Sequence, residues 1–212
     1  MKSIIVDFEM NPVDKKYEEE YDICSKEIIE VGAIKLDEDM NEISQFKCYF
    51  KPEYNTEIDY IINNITGISY DMVKNEKTFT EAVGDFVDWC AKDGEFRVYA
   101  WSNCDRAQFM KELTLKNIKI TSEICAMMNN WEDFQRMFDI AVKACHSTSL
   151  ENALKMVGLN FEGRAHDGMD DAINTARLFA LFNDSEKFKP ISNSLKEKHR
   201  LEAVELEENN NV

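Results

Sequence analysis

Apolar residues in the first quarter of the chain fall into three short runs that polar residues separate. The runs are SIIVDFEM (3–10), EIIEVGAIKLD (27–37) and QFKCYFKP (45–52). Runs of this length that are rich in Val, Ile and Phe are typical of β-strands. Only a few polar residues lie between the second run and the third, and short connections favour antiparallel pairing. We therefore predict an antiparallel meander.

The next segments alternate between helical and strand-like patterns. Residues 78–92 have the apolar spacing of an amphipathic helix, with Thr78 as a suitable N-cap. Its apolar positions are Val83, Phe86, Val87 and Cys90. The other predicted elements are a strand (96–102), a helix (105–116), a short strand (125–131) and three helical stretches (132–144, 149–158 and 168–182). Strands that are followed by alternating strands and helices predict an α/β fold with helices flanking a mixed sheet.

Two connecting segments have their own signals. TGIS (66–69) has the glycine of a turn, and DKKYEEEYD (14–22) is interpreted as an acidic surface loop.

No apolar run is long enough to cross a bilayer, and the first residues lack a secretory pattern. We expect a cytoplasmic protein that has no membrane partner. The six scattered cysteines lack a CxxC pair or zinc spacing, which predicts free thiols that lie mostly in the core.

The formal net charge of −16 argues against a protein that binds nucleic-acid duplexes through their phosphates alone. Four glutamates lie in the segment 201–212, so residues 1–200 still carry −12. Clustered carboxylates that bind divalent cations would offset part of this charge at the place where a phosphate binds. The composition therefore leaves a metal-dependent phosphoesterase open.

Two acids interrupt the first apolar run, IIVDFEM. Asp7 and Glu9 are two positions apart, so a strand directs both to the same face. Like charges on one strand face are unfavourable, and no Lys or Arg within the run compensates them. A divalent metal ion would compensate them, because carboxylate oxygens are the ligands that Mg²⁺ and Mn²⁺ prefer.

Other acids lie at the ends of predicted elements. Asp105 follows the strand at 96–102, and Asp171 lies near the start of a helix, five residues after His166. Each alone is also explained as a helix cap, a helix-dipole charge or a loop histidine.

Together these residues resemble the DEDDh family of 3′-to-5′ exonucleases. D7-F8-E9 is similar to the first motif of that family, Asp105 in WSNCDRAQF to the second, and H166-D-G-M-D-D171 to the third. The segments EIIEVGAI (27–34), ITGIS (65–69) and 149–178 also resemble family segments, in the expected order. The last one is most similar to the branch of the three-prime histone messenger RNA exonucleases. The resemblance covers roughly residues 3–182.

The resemblance implies a ribonuclease H-like fold, in which a five-stranded sheet has three antiparallel strands followed by parallel ones. It places the exonuclease domain at 1–183, and we expect a C-terminal helical extension at 184–204 and a disordered acidic tail at 205–212.

A hypothesis for the site follows from the same residues. Two Mg²⁺ or Mn²⁺ ions would be held by Asp7, Glu9, Asp105 and Asp171, with Asp7 between them. His166 would be the general base, because imidazole titrates near neutral pH. His146 is the rival base, but it precedes a predicted helix, so a structural role is favoured.

The implied substrate is single-stranded nucleic acid with a free 3′ end, with RNA favoured, and the implied product is a nucleoside 5′-monophosphate. By resemblance, Glu9 and the backbone near Phe8 and Met10 would contact the terminal ribose. The residues of the turn that would contact the last base are Ile65, Gly67 and Ile68. Core packing is the alternative reading of that turn.

Two other functions remain open from the sequence. One is a non-catalytic nucleic-acid-binding or scaffold protein on the same fold. The other is an exonuclease that acts on DNA ends or on very short oligonucleotides.

Overall fold

A mixed five-stranded sheet forms the centre of the fold. A computed structural model describes the backbone of residues 1–210 and the side chains of residues 1–201. The strands are β1 (Lys2–Pro12), β2 (Lys26–Leu36), β3 (Glu42–Tyr49), β4 (Phe96–Ala100) and β5 (Trp131–Asp133). They lie in the order β3-β2-β1-β4-β5. β2 is antiparallel to both β1 and β3, whereas β4 is parallel to both β1 and β5. The predicted meander and mixed sheet are confirmed.

Helices cover both faces of this sheet. Over residues 1–210 they are α1 (Glu18–Ile23), α2 (Tyr60–Thr66), α3 (Tyr70–Val73), α4 (Phe79–Ala91), α5 (Cys104–Leu115), α6 (Ser122–Asn129), α7 (Phe134–Val142), α8 (Leu150–Met156), α9 (Gly168–Asn183) and α10 (Ser185–Asn210). The helix predicted over 78–92 is α4, and Thr78 caps it by accepting a hydrogen bond from the Glu81 amide. The predicted α/β class is confirmed.

The short strand predicted over 125–131 is wrong. Most of that segment belongs to α6, and the strand β5 starts only at Trp131. Thr121 caps α6 through the Ile124 amide, while Ile124 and Met127, three positions apart, bury their side chains. A helix is favoured because three-residue spacing places both apolar side chains on one helical face.

The connecting segments differ in part from the expectation. The acidic segment 14–22 contains most of α1, so it is not entirely a loop. The predicted turn is present at Gly67, which ends α2 in the left-handed conformation with φ 75°. The expected tail at 205–212 falls on residues whose side chains are not described, and its last two residues lie outside the described residues. The division into domain, extension and tail stays a prediction.

Two apolar layers hold the sheet between the helices. Ile4 and Val6 face the layer that contains residues of α4, α5 and α6. Ile5 faces the opposite layer, which contains residues of α7, α8 and α9 and, from α10, Phe188 and Leu195. Alternate residues of β1 therefore face opposite layers, as the strand period requires. Asp7 and Glu9 continue the Ile5 side, toward α9.

Among the described residues, no helix combines the length and the hydrophobicity that a membrane span needs.

All six cysteines are free, but the expectation that most are buried is wrong. Only Cys24 and Cys90 are buried, and Cys104, Cys125 and Cys145 are exposed.

Candidate active site

The site lies beside the middle of β1, next to the carboxyl end of β4. These strands are parallel, with Val6 paired to Ala100, and β1 continues beyond this pair to Pro12. Asp7 and Glu9 follow Val6 on β1, and the chain leaves β4 directly toward α5. Parallel strands therefore bring together residues that are about a hundred positions apart.

Asp105 lies in the first turn of α5 and is almost fully buried. Its Oδ1 accepts a hydrogen bond from the amide of Phe8, with 3.1 Å between the two atoms. This bond ties α5 to β1 between the two acids of the first motif. The carboxylate is also favourably placed at a helix N-terminus.

Asp171 and His166 are joined through the start of α9. The amide of His166 donates to Asp171 Oδ2 at 3.0 Å, which holds the preceding loop against the helix. His166 is exposed and has a left-handed backbone with φ 65°. One ligand atom each of Glu9, His166 and Asp171 lie within 4.8 Å of one another.

Close backbone packing explains how α9 comes so near the sheet. A Cβ atom added at Gly32 of β2 would lie 2.1 Å from the carbonyl carbon of Gly168. A Cβ atom added at Gly168 would lie 3.3 Å from the Asp7 carbonyl oxygen. The absence of a side chain at Gly32 therefore allows α9 to lie directly on the strands that carry the acids.

Burial and neighbouring carboxylates raise the pKa of all four acids. Burial, followed by the charges of Asp105 and Asp171, holds the pKa of Asp7 well above its usual range. Burial and then the Asp171 charge raise the pKa of Glu9 to about 9. Burial is also the largest reason why the pKa is about 7 for Asp105 and about 6 for Asp171.

This donor set fits hard divalent cations. Four carboxylates in one place are unfavourable when all are ionised, and a cation removes both the repulsion and the need for protons. Oxygen ligands with one nearby imidazole suit Mg²⁺ or Mn²⁺. The acids that could hold such ions are Asp7, Glu9, Asp105 and Asp171.

A cleft of about 400 Å³ opens beside the acids. Asp7, Glu9, His166 and Asp171 line it together with Phe8, so these predicted residues share one cavity. Side chains that the sequence did not single out complete the lining; they include Trp101, Ser102, Gln135, Leu150 and Phe161. The cleft thus combines acids with both aromatic and polar side chains.

His146, the rival base, is exposed between α7 and α8 and is not among the residues that line the cleft.

The predicted contacts to the substrate are only partly placed for that role. The Phe8 side chain is buried, and its ring packs against Phe86 and Phe109. Met10 is partly buried against the same core layer. Their side chains therefore stabilise the fold, and only their backbone is left for the expected ribose contact.

Of the three residues predicted to contact the base, only Ile65, in the last turn of α2, has an exposed side chain. Ile65 is 41% exposed, whereas Ile68 is 1% exposed and packs beside Ile29 and Val73. The Ile68 side chain is thus not accessible to a base, because it belongs to the core. Gly67 provides the left-handed residue that ends α2.

Arg164 connects this turn to the loop of His166. Its guanidinium Nη2 donates to the carbonyl oxygens of Asn64 and Ile65, at 3.2 and 3.0 Å. No local pattern indicates this contact, because it joins residues about one hundred positions apart. Ile65 is therefore held near the segment that carries the predicted base.

Glu30 is a further acid that sequence reasoning missed. It lies within the apolar run of β2, directly opposite Glu9, and it is fully buried. Its Oε1 lies 2.8 Å from Nζ of Lys47, on β3. The signal that identified Asp7 and Glu9, an acid inside an apolar strand, could have identified Glu30 too.

The chain is similar to known exonucleases. The family model described as "Exonuclease" (RNase_T) matches residues 4–179. The human "3'-5' exoribonuclease 1" is 28% identical over 160 residues, which are 72% of this chain and 45% of the relative. The Drosophila melanogaster "3'-5' exonuclease Snipper" is 26% identical over 215 residues, covering 88% of this chain and 73% of the relative. The chain thus spans less than half the length of the human relative.

A solved structure shares the fold. The nuclease domain of 3'hExo, described as a DEDDh family member bound to rAMP, superposes with a TM-score of 0.73 at 23% identity. The match covers 85% of this chain and 90% of that domain. The expected ribonuclease H-like fold and the resemblance to DEDDh exonucleases are therefore confirmed. Because the family model matches most of its 212 residues, this chain belongs to the exonuclease family.

Proposed function

We propose that this chain is a metal-dependent exonuclease that removes nucleoside 5′-monophosphates from the free 3′ end of single-stranded RNA. The observation that carries the proposal is the convergence of Asp7, Glu9 and Asp171 with His166 in one cleft, next to the buried Asp105. A protein without catalysis has no need for four acids whose pKa values burial raises together.

Two Mg²⁺ or Mn²⁺ ions would be held by Asp7, Glu9, Asp105 and Asp171. When bound, such ions supply positive charge for the attacking and leaving oxygens of a phosphodiester. The charges of Asp105 on α5 and of Asp171 on α9 both raise the pKa of Asp7, which supports the hypothesis that Asp7 is shared between the ions. Without cations, the negative cleft would repel the phosphates of the substrate.

His166 is the proposed general base. Its side chain is exposed, and its ligand atom lies within 4.8 Å of those of Glu9 and Asp171. The bond from its amide to Asp171 fixes the backbone, so the ring stays beside the acids. A histidine in this place can accept the proton of the attacking water.

The walls of the cleft suit a nucleoside. Trp101 and Phe161 contribute aromatic surface, on which bases of any identity can stack. Ile65 offers an exposed apolar side chain on the turn that Arg164 holds. Such contacts do not depend on base identity, which suits removal of successive nucleotides. The preference for RNA rests on the similarity to the human exoribonuclease.

A gel assay tests this function. The purified chain is incubated with 5′-labelled single-stranded RNA or DNA of the same sequence, with Mg²⁺, Mn²⁺ or EDTA. We expect a ladder that shortens from the 3′ end, faster on RNA, and that EDTA abolishes. His166→Ala should slow it by a factor of about 10² to 10⁴. Faster shortening of DNA would refute the RNA preference, and no cleavage of either polymer with either metal would refute the proposed function.

A further inference from the structure

Lys47 on β3 contacts two carboxylates that lie directly behind the acids of the cleft. Its Nζ lies 2.8 Å from Glu30 Oε1, and 2.9 and 3.0 Å from the two carboxylate oxygens of Asp167. Glu30 is 1% exposed, so Lys47 compensates a charge that water cannot reach. The lysine therefore joins β2 to the residue that precedes α9.

The same two carboxylates accept hydrogen bonds from the first amides of α9. The Gly168 amide donates to Glu30 Oε2 at 3.4 Å. The next two amides, of Met169 and Asp170, donate to Asp167 Oδ1 at 3.0 and 3.2 Å. The first amides of a helix have no partner within the helix, so these bonds fix its start. Lys47 holds both acceptors.

The position of this first turn determines where two residues of the cleft lie. His166 directly precedes Asp167, and its own amide donates a hydrogen bond to Asp171 in this first turn. Gly168 also packs against the backbone of Asp7. A shift of the first turn would therefore move His166 and Asp171 relative to the acids of β1.

We propose that Lys47 is a positioning residue: by binding Glu30 and Asp167 together, it fixes the N-terminal turn of α9, and with it His166 and Asp171, against β1. The effect on rate rests on the proposed exonuclease function, whereas the effect on α9 does not. Lys47 also balances Glu30, which lies opposite Glu9 in the sheet and would otherwise add one more negative charge beside the acids.

Hydrogen exchange tests the structural part directly. In Lys47→Met, the amides of Gly168, Met169 and Asp170 should exchange at least about tenfold faster than in the wild type, because their acceptors are no longer held. Lys47→Arg keeps a cation that can bind both carboxylates and should restore most of the protection. Lys74→Met, which removes only an exposed lysine paired to Asp71, is the matched control and should change nothing at these amides.

Steady-state kinetics on single-stranded RNA test the effect on catalysis. Lys47→Met should lower kcat by about 10- to 100-fold with little change in KM, because a small displacement of reacting groups slows chemistry more than binding. Lys47→Arg should recover most of kcat. A lysine that served the fold alone would lower the melting temperature without this selective loss of kcat.

The outcomes separate the two proposals. Unchanged exchange at the start of α9, or an unchanged kcat, in a folded Lys47→Met variant would overturn the positioning role. If that variant does not fold, the double variant Glu30→Gln, Lys47→Met removes both charges and should still show fast exchange at Met169 and Asp170. A wild type that cleaves nothing would refute the proposed function, while hydrogen exchange would still decide whether Lys47 holds α9.

Discussion

Replacing Glu9 by Gln should stabilise the metal-free protein, and the gain should grow with pH. Burial and neighbouring acids raise the pKa of Glu9 from its ordinary 4.5 to about 9 in the folded chain. In the unfolded chain this carboxyl ionises near its ordinary pKa. Between these two values the folded state binds a proton that the unfolded state does not, so stability is greatest at low pH and is lost as pH rises.

The size of the effect follows from the two pKa values. Each pH unit between them lowers the free energy of unfolding by about 1.4 kcal/mol for one proton. From pH 6 to pH 8, Glu9 alone therefore costs the wild type about 3 kcal/mol, as an upper bound because Glu9 retains some solvent contact. Gln has nearly the same shape and no charge, so the variant lacks this loss.

Urea unfolding in EDTA at pH 6, 7 and 8 measures the difference between the two proteins. The advantage of Glu9→Gln over the wild type should increase by up to about 3 kcal/mol across this range. Glu76→Gln, which changes an exposed glutamate outside the cleft, is the control and should show a constant difference. An advantage of Glu9→Gln that stays constant or shrinks with pH would refute the reasoning that burial and neighbouring acids raise the pKa of Glu9.

Three further outcomes test other parts of the structure. Mn²⁺ should raise the melting temperature of the wild type more at pH 8 than at pH 6, because fewer protons compete with the ion for the carboxylates. In the same thermal melt, Asp7→Asn should remove most of this shift. Gly32→Ala should lower the free energy of unfolding in urea by about 1–3 kcal/mol, because the added Cβ would clash with α9. Its control is Gly84→Ala, which should stabilise α4 by about 0.5–1 kcal/mol because nothing lies near the added Cβ. Ser102→Gly should raise the unfolding free energy by about 1 kcal/mol, because Ser102 has a left-handed backbone with φ 101°, and an unchanged value would show that this conformation is not strained.

The main elements and the central acids were predictable because their signals are local. The apolar runs of β1 and β2 and the period of α4 are visible within a few residues. Asp7 and Glu9 stand out because two acids interrupt an apolar strand. Their meeting with His166 and Asp171 followed from the family resemblance and not from the spacing itself.

The missed features depend on contacts between distant parts of the chain. Lys47 meets Asp167 across 120 positions, and Arg164 meets Ile65 across 99, so no local pattern indicates either pair. The helix α3 has only four residues, too few to establish a helical period. The apolar stretch of the segment 125–131 is short and fits a strand as well as a helix, and the Thr121 cap favours the helix.

Anomalous diffraction from crystals grown with Mn²⁺ would test the central claim most directly, because it locates the ions without reference to activity. The account predicts two manganese peaks among the carboxylates of Asp7, Glu9, Asp105 and Asp171, with Asp7 in contact with both. Diffraction that shows no manganese at these four residues, or manganese bound only elsewhere on the acidic surface, would contradict it.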